Sequence, residues 1–170
     1  MKLHDRLVPP MALMVRQVRG WLDKAEAFAA QKKIDPEVLL SARLAPDQWH
    51  LRRQIQMVAW FPTQLRTMLA GEELKQFTLV EEPLGDLRAS LDRALVALEA
   101  LTPELLDSAA DRTFAMPATP GKGMLGTDLV GQMILPNFYF HAAMTYAILR
   151  HNGVELGKMD FLGPIDIRDL

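Results

Sequence analysis

The stretch TDLVGQMILPNFYFHAAMTYAILRHNG, running from Thr127 to Gly153, reads as one long, mostly apolar helix. Leu129, Met133, Asn137, His141, Thr145 and Ile148 fall along one row of near i,i+4 steps. Val130, Ile134, Phe138, Phe140, Met144 and Leu149 flank that row on either side. A helix apolar over so much of its circumference is buried on more than one side. The row therefore carries Asn137 and His141 inward, on adjacent turns that stack them together. A buried polar group without a partner costs about 1–3 kcal/mol, so another helix or a ligand has to face this pair. Thr127 is expected to cap the helix, with Asp128 in its first turn. Asn152-Gly153 should close it, with Arg150 and His151 where the helix dipole favours cations.

Working outward, residues 110–126, ADRTFAMPATPGKGMLG, hold the densest turn chemistry and predict a small β-hairpin or flap just before the last long helix. Upstream, Leu84, Leu87, Leu91, Leu95, Leu98 and Leu101 repeat at three- and four-residue steps, a helix over about Pro83 to Leu101. Thr102-Pro103-Glu104 opens a short helical turn after it. Leu51, Ile55, Val58, Phe61, Leu65 and Leu69 stripe another long helix, with Ala45-Pro46-Asp47 as its entry and Gly71 as its stop. Pro62 inside it should bend it or remove a backbone hydrogen bond. Residues 72–82, EELKQFTLVEE, are an extended connection. The N-terminal helix shows Leu7, Met11, Met14, Val15, Val18, Leu22, Ala25 and Ala29 on one stripe, with Pro9 and Pro10 marking either its true start or a kink. Asp35-Pro36-Glu37 starts a short helix with Asp35 as its cap. The tail after Gly153 has no periodicity, and Phe161 and Leu162 are the residues that would pin it. Four long amphipathic helices joined by one longer connection make an all-α four-helix bundle.

The chain has 170 residues, enough for one domain over 1–170 with a proper core. A formal net charge of −2 gives no electrostatic reason to expect nucleic acid or an anionic membrane. No apolar run is long enough to span a bilayer, and MKLHDRLVPP lacks the apolar core of a signal peptide, so a cytoplasmic chain is expected. With no cysteine there is no disulfide, no thiolate nucleophile and no cysteine-based zinc site.

LPNFYFHAAMTYAILRHNGVELGKMDFLG, KIDPEVLLSARLAPD and RRQIQ together resemble an uncharacterised family within the DinB/YfiT-like metalloenzyme superfamily. The resemblance covers nearly the whole chain. It implies an up-down-down-up four-helix bundle with a cleft between helices, and it points to homodimers. Better-understood relatives bind a divalent metal through three histidines, one on the second helix and two in an HxxxH step on the fourth. Some are thiol-dependent transferases or isomerases. The second histidine of HxxxH falls on His141, the first on Asn137, and the second-helix ligand near Gln54. His50 lies one turn before Gln54 and would supply a second imidazole.

A tight zinc or nickel site wants three or more imidazole, thiolate or carboxylate donors, and neutral amides substitute poorly. Gln54, Asn137 and His141 offer one imidazole and two amides. The residues thus favour a pocket whose side chains hydrogen-bond one another, open to a small polar molecule or a partner and without a tightly held cofactor. The alternative is a thiol-dependent transferase or isomerase holding zinc or nickel on His141 and its neighbours. Whether the chain is an enzyme stays open at this point. Trp49, Trp60, Phe61 and the methionines are more apolar surface than four helices hide, which predicts a homodimer.

Overall fold

The computed structural model describes residues 3–72, 77–78, 80–116 and 119–168. The first helix, α1 (Leu3–Lys32), runs unbroken through Pro9 and Pro10, so the two prolines neither start nor end it. Each proline withholds one backbone donor, and every residue of the predicted stripe is buried, which outweighs that loss. After α1 comes α2 (Pro36–Ser41), where the Asp35 carboxylate accepts from the Glu37 N–H at 2.9 Å and Pro36 opens the helix.

The second long helix, α3 (Leu51–Leu69), begins later than expected. Ala45-Pro46-Asp47 forms a turn closed by Gln48 N–H donating to the Ala45 carbonyl at 3.0 Å. The chain then stays extended until His50, whose Nδ1 accepts from the Arg53 N–H at 3.3 Å and caps the helix. Asp47 is therefore not the cap. Pro62 sits buried within α3. The connection to α4 (Leu84–Glu99) is held by Arg52, a buried guanidinium that pairs with Glu37 and Glu81 and donates through Nε to the Glu82 carbonyl at 2.9 Å. Residues 73–76 and 79 of that expected extended connection lie outside the described residues. The leucine stripe of α4 is buried except for half-buried Leu95.

Thr102 caps α5 (Pro103–Ala109) by accepting from the Leu105 N–H at 3.3 Å. The expected hairpin follows as β1 (Thr113–Ala115) and β2 (Gly123–Leu125), antiparallel, with Phe114 opposite Met124. Residues 117–118 between the strands lie outside the described set. The last long helix is α6 (Gly126–Asp128), a π-helical stretch Leu129–Ile134, and α7 (Leu135–His151). Thr127 does not cap it. The Gly126 N–H donates to the Arg112 carbonyl at 2.8 Å and the Thr127 N–H to the Ala110 carbonyl at 3.1 Å. The turn after α5 thus satisfies donors that a side-chain cap would otherwise serve. The other end closes as expected, with Asn152 as C-cap and Gly153 at φ 96°.

The π turn interrupts the regular helical rows. A wider turn holds extra residue per revolution, so side chains before and after it lose their common row. Leu129, Val130 and Ile134 are buried within the π stretch while Met133 turns out to 36% exposure, and beyond it Phe138 is buried and Asn137 half-buried. Downstream, His141, Thr145 and Ile148 return to the core as expected. Phe140, expected to flank the core, is 51% exposed.

In the bundle, α4 packs between α1 and α3, and α7 packs against the other sides of α3 and α1. This is the expected all-α, up-down-down-up four-helix arrangement, with the small hairpin preceding the last long helix. The tail adds α8 (Lys158–Leu162). Phe161 stacks on Trp21 at 5.7 Å and meets Tyr146 edge-on at 5.8 Å, while the Trp21 Nε1–H donates to the Asp160 carbonyl at 3.1 Å. Leu162 is exposed, so Phe161 does the pinning. Among the described residues no helix is long and apolar enough to cross a membrane.

Candidate functional site

The stretch between α2 and α3 folds back on itself. The Leu51 N–H donates to the Ala42 carbonyl at 2.9 Å, and the Arg43 guanidinium donates to the Gln48 carbonyl. That closure brings Trp49 over the imidazole of His141, the ring planes 4° apart and their centroids 5.6 Å apart. Phe61 from α3 lies near-parallel to the same imidazole at 5.8 Å, and Phe140 meets it edge-on at 5.2 Å. His141 is consequently only 5% exposed.

The hydrogen bonds assign its tautomer. The Trp49 carbonyl can only accept, and it takes the Gln54 side-chain NH2 at 3.1 Å. The Gln54 carbonyl oxygen must then face the other way, and it lies 2.7 Å from His141 Nδ1. Nδ1 therefore carries the ring proton and donates it to Gln54. Nε2 is left as an unprotonated lone pair. Burial, and then the positive charge of Arg53, hold His141 down to about 4, so the ring is neutral near pH 7. The Thr145 hydroxyl donates to the His141 backbone carbonyl at 2.9 Å, one turn along.

Around this group opens a cleft of about 330 Å³, lined by Gln48, Trp49, Gln54, Asn137, Phe140 and His141. Two of the four expected pocket residues, Gln54 and His141, meet directly. Asn137 reaches the same cleft, but its Nδ2 donates to the Met133 carbonyl of its own helix at 2.6 Å, and no bond joins it to His141 or Gln54. Asn137 and His141 stand one turn apart on α7, and they differ because the Asn137 amide is spent on a carbonyl of its own helix. His50 stands apart from the pair: its Nδ1 is engaged as the α3 cap, and burial, then Arg43 and Arg52, lower its pKa. Among the described residues no three histidine, aspartate or glutamate side chains gather as a metal-binding group.

Trp49, Gln48, Phe140 and Arg53 are the contributors that sequence reasoning missed. Arg53 sits over the Trp49 ring, its guanidinium carbon 3.8 Å from the ring centroid. No spacing connects Trp49 with His141, because only the folded-back stretch after α2 brings them together. A groove of similar volume, about 320 Å³, lies between α3 and α4 around Gln56, Trp60, Gln64 and Glu82. It holds no imidazole, so the chemistry, rather than the space, singles out the His141 cleft.

Residues 3–162 match the family described as "Domain of unknown function (DUF1993)". The chain is also similar to the crystal structure of a DinB family member protein from Shewanella denitrificans. The two share 35% identity and a TM-score of 0.90, covering 99% of this chain and 96% of that one. No curated protein matches.

Proposed function

This chain belongs to the DUF1993 family, within the DinB-like fold, and from that footing we propose that its His141 cleft binds a small polar molecule without a resident metal. The observation that carries the proposal is the neutral imidazole oriented by Gln54, with Nε2 as a bare acceptor beside Trp49. Such a ring accepts a hydrogen bond from an O–H or N–H of a bound molecule and can hold the proton it draws on.

The donors that a metal would need do not fit it. The Gln54 oxygen already receives the His141 proton, and the Gln54 nitrogen is tied to Trp49. The Asn137 amide is anchored on Met133, and the His50 ring is used at the helix end. One imidazole nitrogen and a neutral amide oxygen lack the charge and basicity that hold zinc or nickel against water. In this reading Gln54 has changed role from ligand to orienting group.

A fragment screen by saturation-transfer NMR tests the proposal, using untagged protein dialysed against a chelator. Small polar fragments should bind, displace one another and disappear from His141→Phe. Fragments that bind only after zinc or nickel is added, or that persist unchanged in His141→Phe, would contradict it.

A further inference from the structure

We infer that the groove between α3 and α4 is a second binding site, taking a zwitterionic α-amino acid with an apolar side chain, its ammonium met by Glu82 and its carboxylate by Arg93. The groove encloses about 320 Å³, at the lower end of small-molecule sites, which span about 300–1,000 Å³. It shares no lining residue with the His141 cleft.

Glu82 and Arg93 both line the groove, and one hydroxyl meets both. Ser90 Oγ donates to Glu82 Oε1 at 3.1 Å, and Arg93 Nη2 donates to Ser90 Oγ at 2.6 Å. Carboxylate and guanidinium therefore stand within two hydrogen-bond lengths of each other, yet neither forms an ion pair among the described residues. The Glu82 carboxylate is already fixed. Its Oε2 accepts from Gln56 Nε2 at 2.7 Å, and the same amide nitrogen donates to the Val80 carbonyl at 2.8 Å. Arg52 donates to the Glu82 backbone carbonyl, but its charge is matched by Glu37 and Glu81. An α-amino acid carries ammonium and carboxylate on one carbon, close enough together to reach both groups. Hydrogen bonds assisted by charge at both ends are stronger than neutral ones. A carboxylate held in place beforehand loses little freedom when the ammonium arrives.

The rest of the groove fits a body beyond those two charges. Gln56, Trp60 and Gln64 follow one another at four-residue steps on α3, so they share a row along the groove wall. The Trp60 ring meets Phe77 edge-on at 6.1 Å, and both line the opening, an aromatic wall for an apolar side chain. Gln64 is only 7% exposed, and its amide makes no hydrogen bond among the described residues. Gln56 Oε1 is likewise buried without a donor. Buried amides are seldom left so, and two of them on the wall of one groove mark it as a place that a polar molecule completes.

L-phenylalanine, phenethylamine and hydrocinnamate separate the two charges, since the amine lacks the carboxylate and the acid lacks the ammonium. Binding is followed by calorimetry and tryptophan fluorescence on the untagged chain near neutral pH. Phenylalanine should bind at least about tenfold more tightly than either analogue, each of which loses one charge-assisted pair. Arg93→Gln, a change at an exposed side chain, should bring phenylalanine down to the affinity of phenethylamine and leave that amine unaffected. Arg93→Lys, which keeps the charge, should retain part of the preference. Glu82→Gln should bring phenylalanine down to the affinity of hydrocinnamate, with thermal melts checking its fold, and Arg93→Gln decides alone where that variant does not fold. Equal affinity for the three probes, a preference unchanged in Arg93→Gln, or no saturable binding overturns the inference. None of these results bears on the His141 cleft, whose fragment screen is read through His141→Phe.

Discussion

The imidazole of His141 works as it does because of two atoms on Gln54. The amide's nitrogen is committed to Trp49, so its oxygen is oriented toward Nδ1 before any ligand arrives. Removing that acceptor in Gln54→Leu leaves a buried N–H unpaired and should lower stability by about 1–3 kcal/mol in urea melts. Gln54→Glu should act differently, placing a carboxylate against Nδ1 and favouring the imidazolium. The His141 pKa should then rise well above its native value of about 4, measured by its proton resonances. The native shift also predicts a pH dependence. The folded ring takes up a proton less readily than the unfolded chain, whose histidines titrate near about 6.5. The contribution of His141 to stability is thus fully present above that value and is lost as pH falls toward about 4. Melts between those limits should fall with acidity, and His141→Phe should fall less. Equal slopes for the two proteins would count against a buried neutral ring.

At the scale of elements, the last long helix depends on a close approach that one residue allows. A Cβ on Gly126 would lie 2.0 Å from the Ala109 carbonyl oxygen, so the chain after α5 packs against bare backbone there. Gly126→Ala should cost about 1–3 kcal/mol through overpacking, read from thermal melts. The same region shows which features were legible in the sequence. The stripes of α1, α3 and α4 were, because their apolar residues keep one helical period from end to end. Gln54 and His141 were found as a pair from their inward rows and the family resemblance. Asn137 was expected to face Gln54 and His141; it lines the cleft, but its amide bonds the Met133 carbonyl, a local pairing that an inward row does not reveal. The start of α3 was misread because Asp47 is a good capping residue by type, whereas the cap used is His50. Thr127 was misread for a related reason: its helix end is satisfied by carbonyls of a distant turn, which local sequence does not reveal. Trp49 escaped as a site residue because its partner stands on another helix, reached only through tertiary closure.

At the scale of the molecule, we propose that the chain forms a homodimer. Trp49 is 40% exposed, Phe140 is 51% exposed and Trp60 is half-buried, apolar side chains that a second copy would cover. Phe61, expected to share in that surface, is buried against His141 and does not. Light scattering at high micromolar concentration should give twice the chain mass of 19.1 kDa, and a monomer mass would end the proposal. The bundle itself imposes the cleft's polarity: α3 and α7 pack side by side, which leaves Gln54 and His141 facing each other across their seam.

Nitrogen-15 NMR of histidine-labelled, untagged protein tests the central claim most directly, because it reads the protonation of both ring nitrogens of His141. At neutral pH the expected result is a protonated Nδ1 and an unprotonated Nε2, unchanged by dialysis against chelator. An imidazolium near pH 7, the opposite tautomer, or an Nε2 resonance that chelator shifts would contradict a neutral, metal-free histidine held by Gln54.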